Sequence, residues 1–337
     1  MKSKTAMILF FLILPLLSSR PADAGTDSKA VGSRLKPLTF TTLWLPQAQF
    51  TGYLVAQEKG FYREAGLDVT LFNGGPDRPP AETLASGKTD LALMFLFKGI
   101  EQRARGVKLV NLAQMNRHSA LMIVAKKSSG IRVPADLNGR KIGVWRSEYR
   151  ALPQAFFDKY RLNVEIVPLS SSINLFLWDG IDAIAAMWYN EYHTVLNSGF
   201  DPDELTSFFF AEYGLDYPED GIYALESFVS RNQEICGAFV DASIKGWMFA
   251  FANPDSALRI VTRAMLREHV PTNMAHQTWM LHRMKDVIIP EGNLDLIGRL
   301  DEPVFRQVAG TLVKGGVIRN VPNFRTFYRW RGVHAEK

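Results

Sequence analysis

Short β-rich runs alternate with helical periodicity through the first 225 residues, a pattern that predicts α/β lobes built on largely parallel sheets. Residues 38–43 alternate apolar and polar positions, and 68–72 form the next strand. After a Gly-Gly-Pro-Asp loop, Pro79 opens a helix over 79–86 that Gly87 stops. Residues 90–95 read as a buried strand, and 108–115 and 121–125 as two more, with the polar turn 116–119 between them. Over 126–136 the composition changes to Lys, Ser, Gly and Pro, which predicts a boundary between lobes. Beyond it come a turn and strand (137–144), a helix (150–161), a strand (164–168), a serine-capped helix (172–177) and a strand (182–187). Residues 254–330 are mostly helical in pattern.

The ends change this picture. Lys2 and Lys4 precede an apolar run at 6–17 that is too short for an ordinary membrane span, and Ala22-Asp23-Ala24 offers small residues where a signal peptidase reads. A signal peptide over 1–24, cut after Ala24, is expected, leaving about 310 residues, more than one core usually serves. No second long apolar run is read in the sequence. The formal net charge of +5 is modest and spread without a basic block, which argues against nucleic acid. Cys236 is the single cysteine, so no intramolecular disulfide can form, and its apolar helical setting predicts a packed thiol.

Chemistry concentrates where strands hand over to helices. Residues 41–71 place Trp44, Gln47, Gln49 and Phe50 in a turn between a strand end and a helix that carries Tyr53. Such a junction opens a crevice and offers free N–H groups. Residues 188–192 read Trp-Tyr-Asn-Glu-Tyr directly after an apolar strand. Trp188 and Tyr189 supply flat faces, and Asn190 and Glu191 supply directional hydrogen bonding, which suits a planar heteroaromatic ring. Trp145, with Arg146, Ser147 and Glu148, occupies the equivalent strand exit in the second lobe. There a helix start beside an arginine either holds an anion or is simply capped. Asp77 and Arg78 in the loop after Gly74-Gly75, and Asp220 and Tyr223 near a second boundary at 220–225, are further candidates. His193 edges either the cleft or the surface. His269, His276 and His282 lack the spacing of a metal site, and no phosphate loop, nucleophile elbow or zinc pattern occurs.

The 41–71 layout and the Met-Trp-Tyr-Asn-Glu-Tyr string at 187–192 resemble the periplasmic solute-binding proteins of ABC importers. Within them the chain is similar to the branch related to thiamine-pyrimidine synthases and to pyrimidine-precursor or riboflavin binding proteins. The resemblance implies a two-lobed type II binding fold. Lobe one would comprise 36–125 and 225–331, lobe two 126–224, with a two-strand hinge and a cleft that closes on its ligand. It also implies a periplasmic monomer that binds a small planar heterocycle, without a cofactor, and delivers it to a membrane permease driven by an ATPase. The broader family includes receptors for sulfonates, nitrate and taurine, so a small anion held by Arg78 or Arg146 is the alternative. The synthases use a Cys-rich iron segment, and this chain has one cysteine and an export signal, which favours a binder over an enzyme.

Overall fold

The computed structural model describes residues 34–145, 150–170 and 172–333. The expected signal peptide and Arg146, Ser147 and Glu148 lie outside these residues. Among the described residues, ten strands form two five-stranded sheets. The first contains β1 (Lys36–Thr41), β2 (Leu67–Phe72), β3 (Leu91–Phe95), β4 (Leu109–Gln114) and β10 (Asp220–Leu225) in the order β2-β1-β3-β10-β4. The second contains β5 (Leu121–Lys126), β6 (Lys141–Trp145), β7 (Glu165–Leu169), β8 (Ala183–Met187) and β9 (Leu205–Phe209) in the order β7-β6-β8-β5-β9. In each sheet one strand runs against the other four: β10 is antiparallel to β3 and β4, and β5 is antiparallel to β8 and β9. These reversed strands are the ones that have just crossed from the opposite lobe. The sheets are therefore mixed, with a parallel majority.

The strands rich in apolar residues are buried on both faces, as in sheets covered by helices on both sides. Every residue of β3, β4, β5 and β8 is buried. Alternate residues of β5 and β8 face different cores. Ile123 and Ala185 join the large core shared with the first lobe, whereas Val124 and Ile184 pack on a smaller cluster with Phe176 and Val195.

The chain changes sheets between β4 and β5, at residues 115–120, and returns between β9 and β10, at 210–219. This places β5 in the second sheet and moves the first crossing upstream of 126–136. The Lys, Ser, Gly and Pro of that stretch form surface turns, Lys127–Ser129 and Pro134–Leu137, inside the second lobe. The two crossings are stitched together. Met115 N–H and Asn116 N–H donate to the Asp220 carbonyl at 2.9 and 3.1 Å, and Ser119 N–H donates to the Asp216 carboxylate at 2.9 Å.

The C-terminal third supplies helices to the first lobe. The helix Gln233–Ala252 packs on Thr51–Glu58 at close range: a Cβ on Gly246 would lie 2.0 Å from the Gly52 carbonyl oxygen, so only glycine permits this approach. That helix is apolar enough, at mean hydropathy 1.3, to match a membrane span by length and composition. It carries Asp241 and Lys245 and buries Cys236, Phe239, Val240 and Trp247 in the first-lobe core. Cys236 is a buried thiol whose pKa burial pushes up to about 12.

Candidate ligand-binding site

A cavity of about 80 Å³ opens between the lobes at the ends of β3, β6, β7 and β8. That is room for several waters or one small ring. The first lobe contributes Leu43, Trp44, Gln47, Gln49 and Phe95. The second contributes Trp145, Ser170, Met187, Tyr189, Asn190 and Glu191. No lysine or arginine stands among the described residues that line it.

On the first-lobe side, the turn after β1 is held by the Thr42 hydroxyl, which donates to the Trp44 carbonyl at 2.8 Å. Ala48 N–H donates to the Gln277 side chain at 2.7 Å, anchoring the turn to the helix Met274–Ile288. The amides then form a directed row. Gln47 Nε2 donates to Gln49 Oε1 at 2.8 Å, and Gln49 Nε2 donates to the buried carboxylate of Asp220 at 2.9 Å. Because both groups of the Gln49 amide are engaged, the Gln47 amide is oriented as well, leaving its carbonyl and its second N–H for other partners. Burial raises Asp220 to about 7, against the lowering effect of the Gln49 bond. Its neighbour Glu219 is raised to about 8 by burial and by the adjacent Asp220 charge.

On the second-lobe side, the chain leaves β8 and starts the helix Glu191–Asn197 at once. The Glu191 carboxylate accepts from Met187 N–H and from Asn190 Nδ2, each at 3.0 Å. Despite these bonds burial raises it to about 7, so near neutrality it is able to accept or to donate. With its own backbone N–H as a further donor, the carboxylate keeps the remaining lone-pair capacity for a ligand. Tyr189 (1 % exposed) and Trp145 bring flat apolar faces to the same space, and Trp44 faces them from the first lobe.

Trp44, Gln47, Gln49, Trp145, Tyr189, Asn190 and Glu191 are thus brought together, and five other sequence-selected residues lie elsewhere. Trp188, in the turn after β8, is not among the residues lining the cavity. It meets Phe209 edge-on at 5.8 Å, with the Arg283 guanidinium 4.5 Å from its ring. Tyr53 is in the first-lobe core, 5.0 Å from Phe40 and 5.9 Å from Trp247 between ring centres. Tyr223 sits inside β10 between β3 and β4, fully buried, its ring filling the space left open by Gly99. Asp77 and Arg78 line a separate groove of the first lobe with Pro79 and Glu82, and Arg78 covers the Phe72 ring at 5.1 Å.

Leu43, Phe95, Ser170 and Met187 line the cavity without being among the residues selected from sequence. Phe95 ends β3 and Ser170 follows β7, so applying the strand-end rule to every parallel strand would have found both. Asp220, a candidate either to reach the ligand or to fix the hinge turn, is instead the buried partner of Gln49.

Comparison with known proteins sets this geometry in context. The chain is 27% identical over 269 residues to the formylaminopyrimidine-binding protein of Halalkalibacterium halodurans, covering 77% of this chain and 79% of that one. It is 29% identical over 107 residues, about a third of each chain, to a 4-amino-5-hydroxymethyl-2-methylpyrimidine phosphate synthase of Saccharomyces cerevisiae. Its fold matches the periplasmic aliphatic sulphonate binding protein SsuA of Escherichia coli with a TM-score of 0.67 at 16% identity, covering 90% of this chain and 94% of that one. The fold is that of the periplasmic binding proteins. Residues 47–257, more than half of the chain, match the NMT1/THI5-like family, and the chain belongs to it.

Proposed function

We propose that this protein is the periplasmic substrate-binding component of an ABC importer, and that it captures a single-ring nitrogen heterocycle of the aminopyrimidine kind between its lobes. The observation that carries this reading is the lining: four aromatic side chains, a row of oriented amides, one carboxyl group and no cation among the described residues. An aminopyrimidine edge pairs an amino donor with a ring-nitrogen acceptor, and a carboxyl group beside an amide complements both. Stacking adds about 0.5–1.5 kcal/mol per aromatic pair beyond area burial. The relative from Halalkalibacterium halodurans carries a pyrimidine in its name, which supports the same class.

Two other readings fit less well. A sulfonate or nitrate ligand calls for arginine or lysine, and Arg78 lies in a different groove. A synthase reading rests on relatives matched over about a third of their length, and the one cysteine here is buried in a helix. Function in this proposal is closure without bond-making. The ligand favours the closed arrangement because it touches both lobes at once, and the closed form is delivered to a permease and its ATPase. The lobes move about the paired crossings at 115–120 and 210–219. Export through cleavage after Ala24 and action as a monomer complete the proposal.

A thermal-shift panel of aminopyrimidines, thiamine, riboflavin, taurine, alkyl sulfonates and nitrate tests it. A ligand at about 100 times its Kd stabilises the fold by about 2.7 kcal/mol, a clear rise in Tm. A rise with an aminopyrimidine supports the reading. A rise with small anions alone refutes it.

A further inference from the structure

Behind Asn190, on the side away from the cavity, the first-lobe helix Met274–Ile288 meets the second-lobe helix Glu191–Asn197. His276 Nε2 lies 3.0 Å from Asn190 Oδ1, and His276 Nδ1 lies 2.9 Å from His193 Nδ1. The His193 ring is stacked 4.7 Å from Trp279 at an interplanar angle of 11°. Trp279 Nε1 donates to the Trp188 carbonyl at 3.0 Å, closing a second tie between the same two helices' neighbourhoods.

The proton positions follow from the partners. Asn190 Nδ2 donates to Glu191 Oε1, so Asn190 Oδ1 faces His276 as an acceptor and His276 Nε2 must carry hydrogen. A neutral His276 then presents a bare Nδ1 to His193 Nδ1, which Asn197 Nδ2 also approaches at 3.2 Å. The result is a directed row from His276 through Asn190 to Glu191, with His193 packed against its far end. Both rings are kept neutral by their surroundings: burial and the neighbouring His193 lower His276 to about 4, and burial lowers His193. The charged groups nearby are Arg283, on the His276 helix and stacked on Trp188 and Trp279, and Glu191 beyond Asn190.

We propose that His276 is a positioning residue for the ligand site: from the first lobe it fixes the Asn190 amide of the second, so that the amide NH₂ faces Glu191 and the cavity's hydrogen-bond pattern is set only when the two lobes are clasped through His276 and His193. This inference rests on the proposed function, because it assumes that Asn190 and Glu191 meet the ligand. It makes lobe closure and recognition one event. Opening the clasp frees the amide to turn, and the site then loses the donor and acceptor order that an aminopyrimidine edge requires.

The test has two arms on the full mature protein. In the first, ¹⁵N-histidine NMR reads the tautomer and titration of His276. The expected result is an Nε2–H ring that stays neutral at pH 6. An Nδ1–H ring, or titration near the ordinary 6.5 with and without probe, overturns the proposal. In the second, calorimetry measures binding of 4-amino-5-hydroxymethyl-2-methylpyrimidine as the probe. His276→Gln keeps an N–H for Asn190 and should bind within about twofold of wild type, whereas His276→Leu should weaken binding about five- to tenfold, the worth of one neutral hydrogen bond. Equal affinities for the two variants overturn the positioning role. If the wild type ignores the probe, the aminopyrimidine reading fails, and the NMR arm alone decides the relay.

Discussion

Glu219 lies on the return crossing with one carboxylate oxygen accepting from Ser119 Oγ at 3.0 Å and Ala120 N–H at 2.7 Å. Its other oxygen, Oε2, is buried without a partner. Burial and the charge of Asp220 raise it from an ordinary 4.5 to about 8. The folded protein therefore holds a proton that the unfolded chain has released above about pH 5. That stabilisation is complete below the unfolded pKa and is lost as pH rises through about 8. The informative window is pH 6.5–8.5, because His276, lowered in the fold, contributes its own slope below 6.5. Across this window Glu219 should account for a loss of about 2 kcal/mol, and Asp220 and Glu191, both raised to about 7, for less than about 1 kcal/mol each. Urea unfolding of the wild type and of Glu219→Gln at both pH values measures it. The wild type should be the less stable at pH 8.5, and the glutamine variant should lose the largest share of that difference. Equal pH dependence in the two proteins would mean that Glu219 is ionised in the fold, and the reasoning about a buried hinge acid would fail.

The site and the core make further predictions. Trp44→Ala and Tyr189→Ala should each weaken aminopyrimidine binding by about 10- to 100-fold in calorimetry, since each removes a flat face from the cavity. Arg78→Ala should leave that affinity unchanged, and a large loss would return the small-anion reading to contention. Gly246→Ala should destabilise the protein by more than about 2 kcal/mol in thermal or urea unfolding, because its Cβ would collide with the Gly52 backbone and the two helices cannot part without opening the core. A Tm within a degree of wild type would contradict that packing. Glu191→Gln should flatten the pH dependence of binding around neutrality, where the carboxyl group changes charge in the wild type.

Much of this architecture was legible because it is local. Apolar runs such as 91–95 and 183–187 announce buried strands, and the aromatic and amide side chains clustered at strand exits mark the crevice. The lobe boundary was not, since 121–125 reads as a strand in either lobe, and only its pairing with β8 and β9 assigns the sheet. The polar stretch after it signals a surface turn as readily as a crossing. Strand parity does not separate Trp188 from Tyr189, because both lie in the turn after β8, where Tyr189, Asn190 and Glu191 line the cavity in succession. Tyr53 and Tyr223 illustrate a harder limit, because an aromatic near a strand end looks the same whether it lines the cleft or fills the core beside Trp247 or Gly99.

The contacts furthest from sequence are those that organise the site. Gln49 finds Asp220 and Asn190 finds His276 across separations of 171 and 86 residues, and in each case the side chain that meets the cavity is oriented by one that does not. Both pairs link the first-lobe turn or helix to a crossing or to the second lobe. Substitutions at Asp220 and His276 should therefore alter affinity by disordering Gln49 and Asn190, with the aromatic faces still in place. Discrimination between aminopyrimidines and rings that lack the amino group should fall more than affinity for either. A selectivity ratio that survives both substitutions would show that the aromatic faces alone choose the ligand.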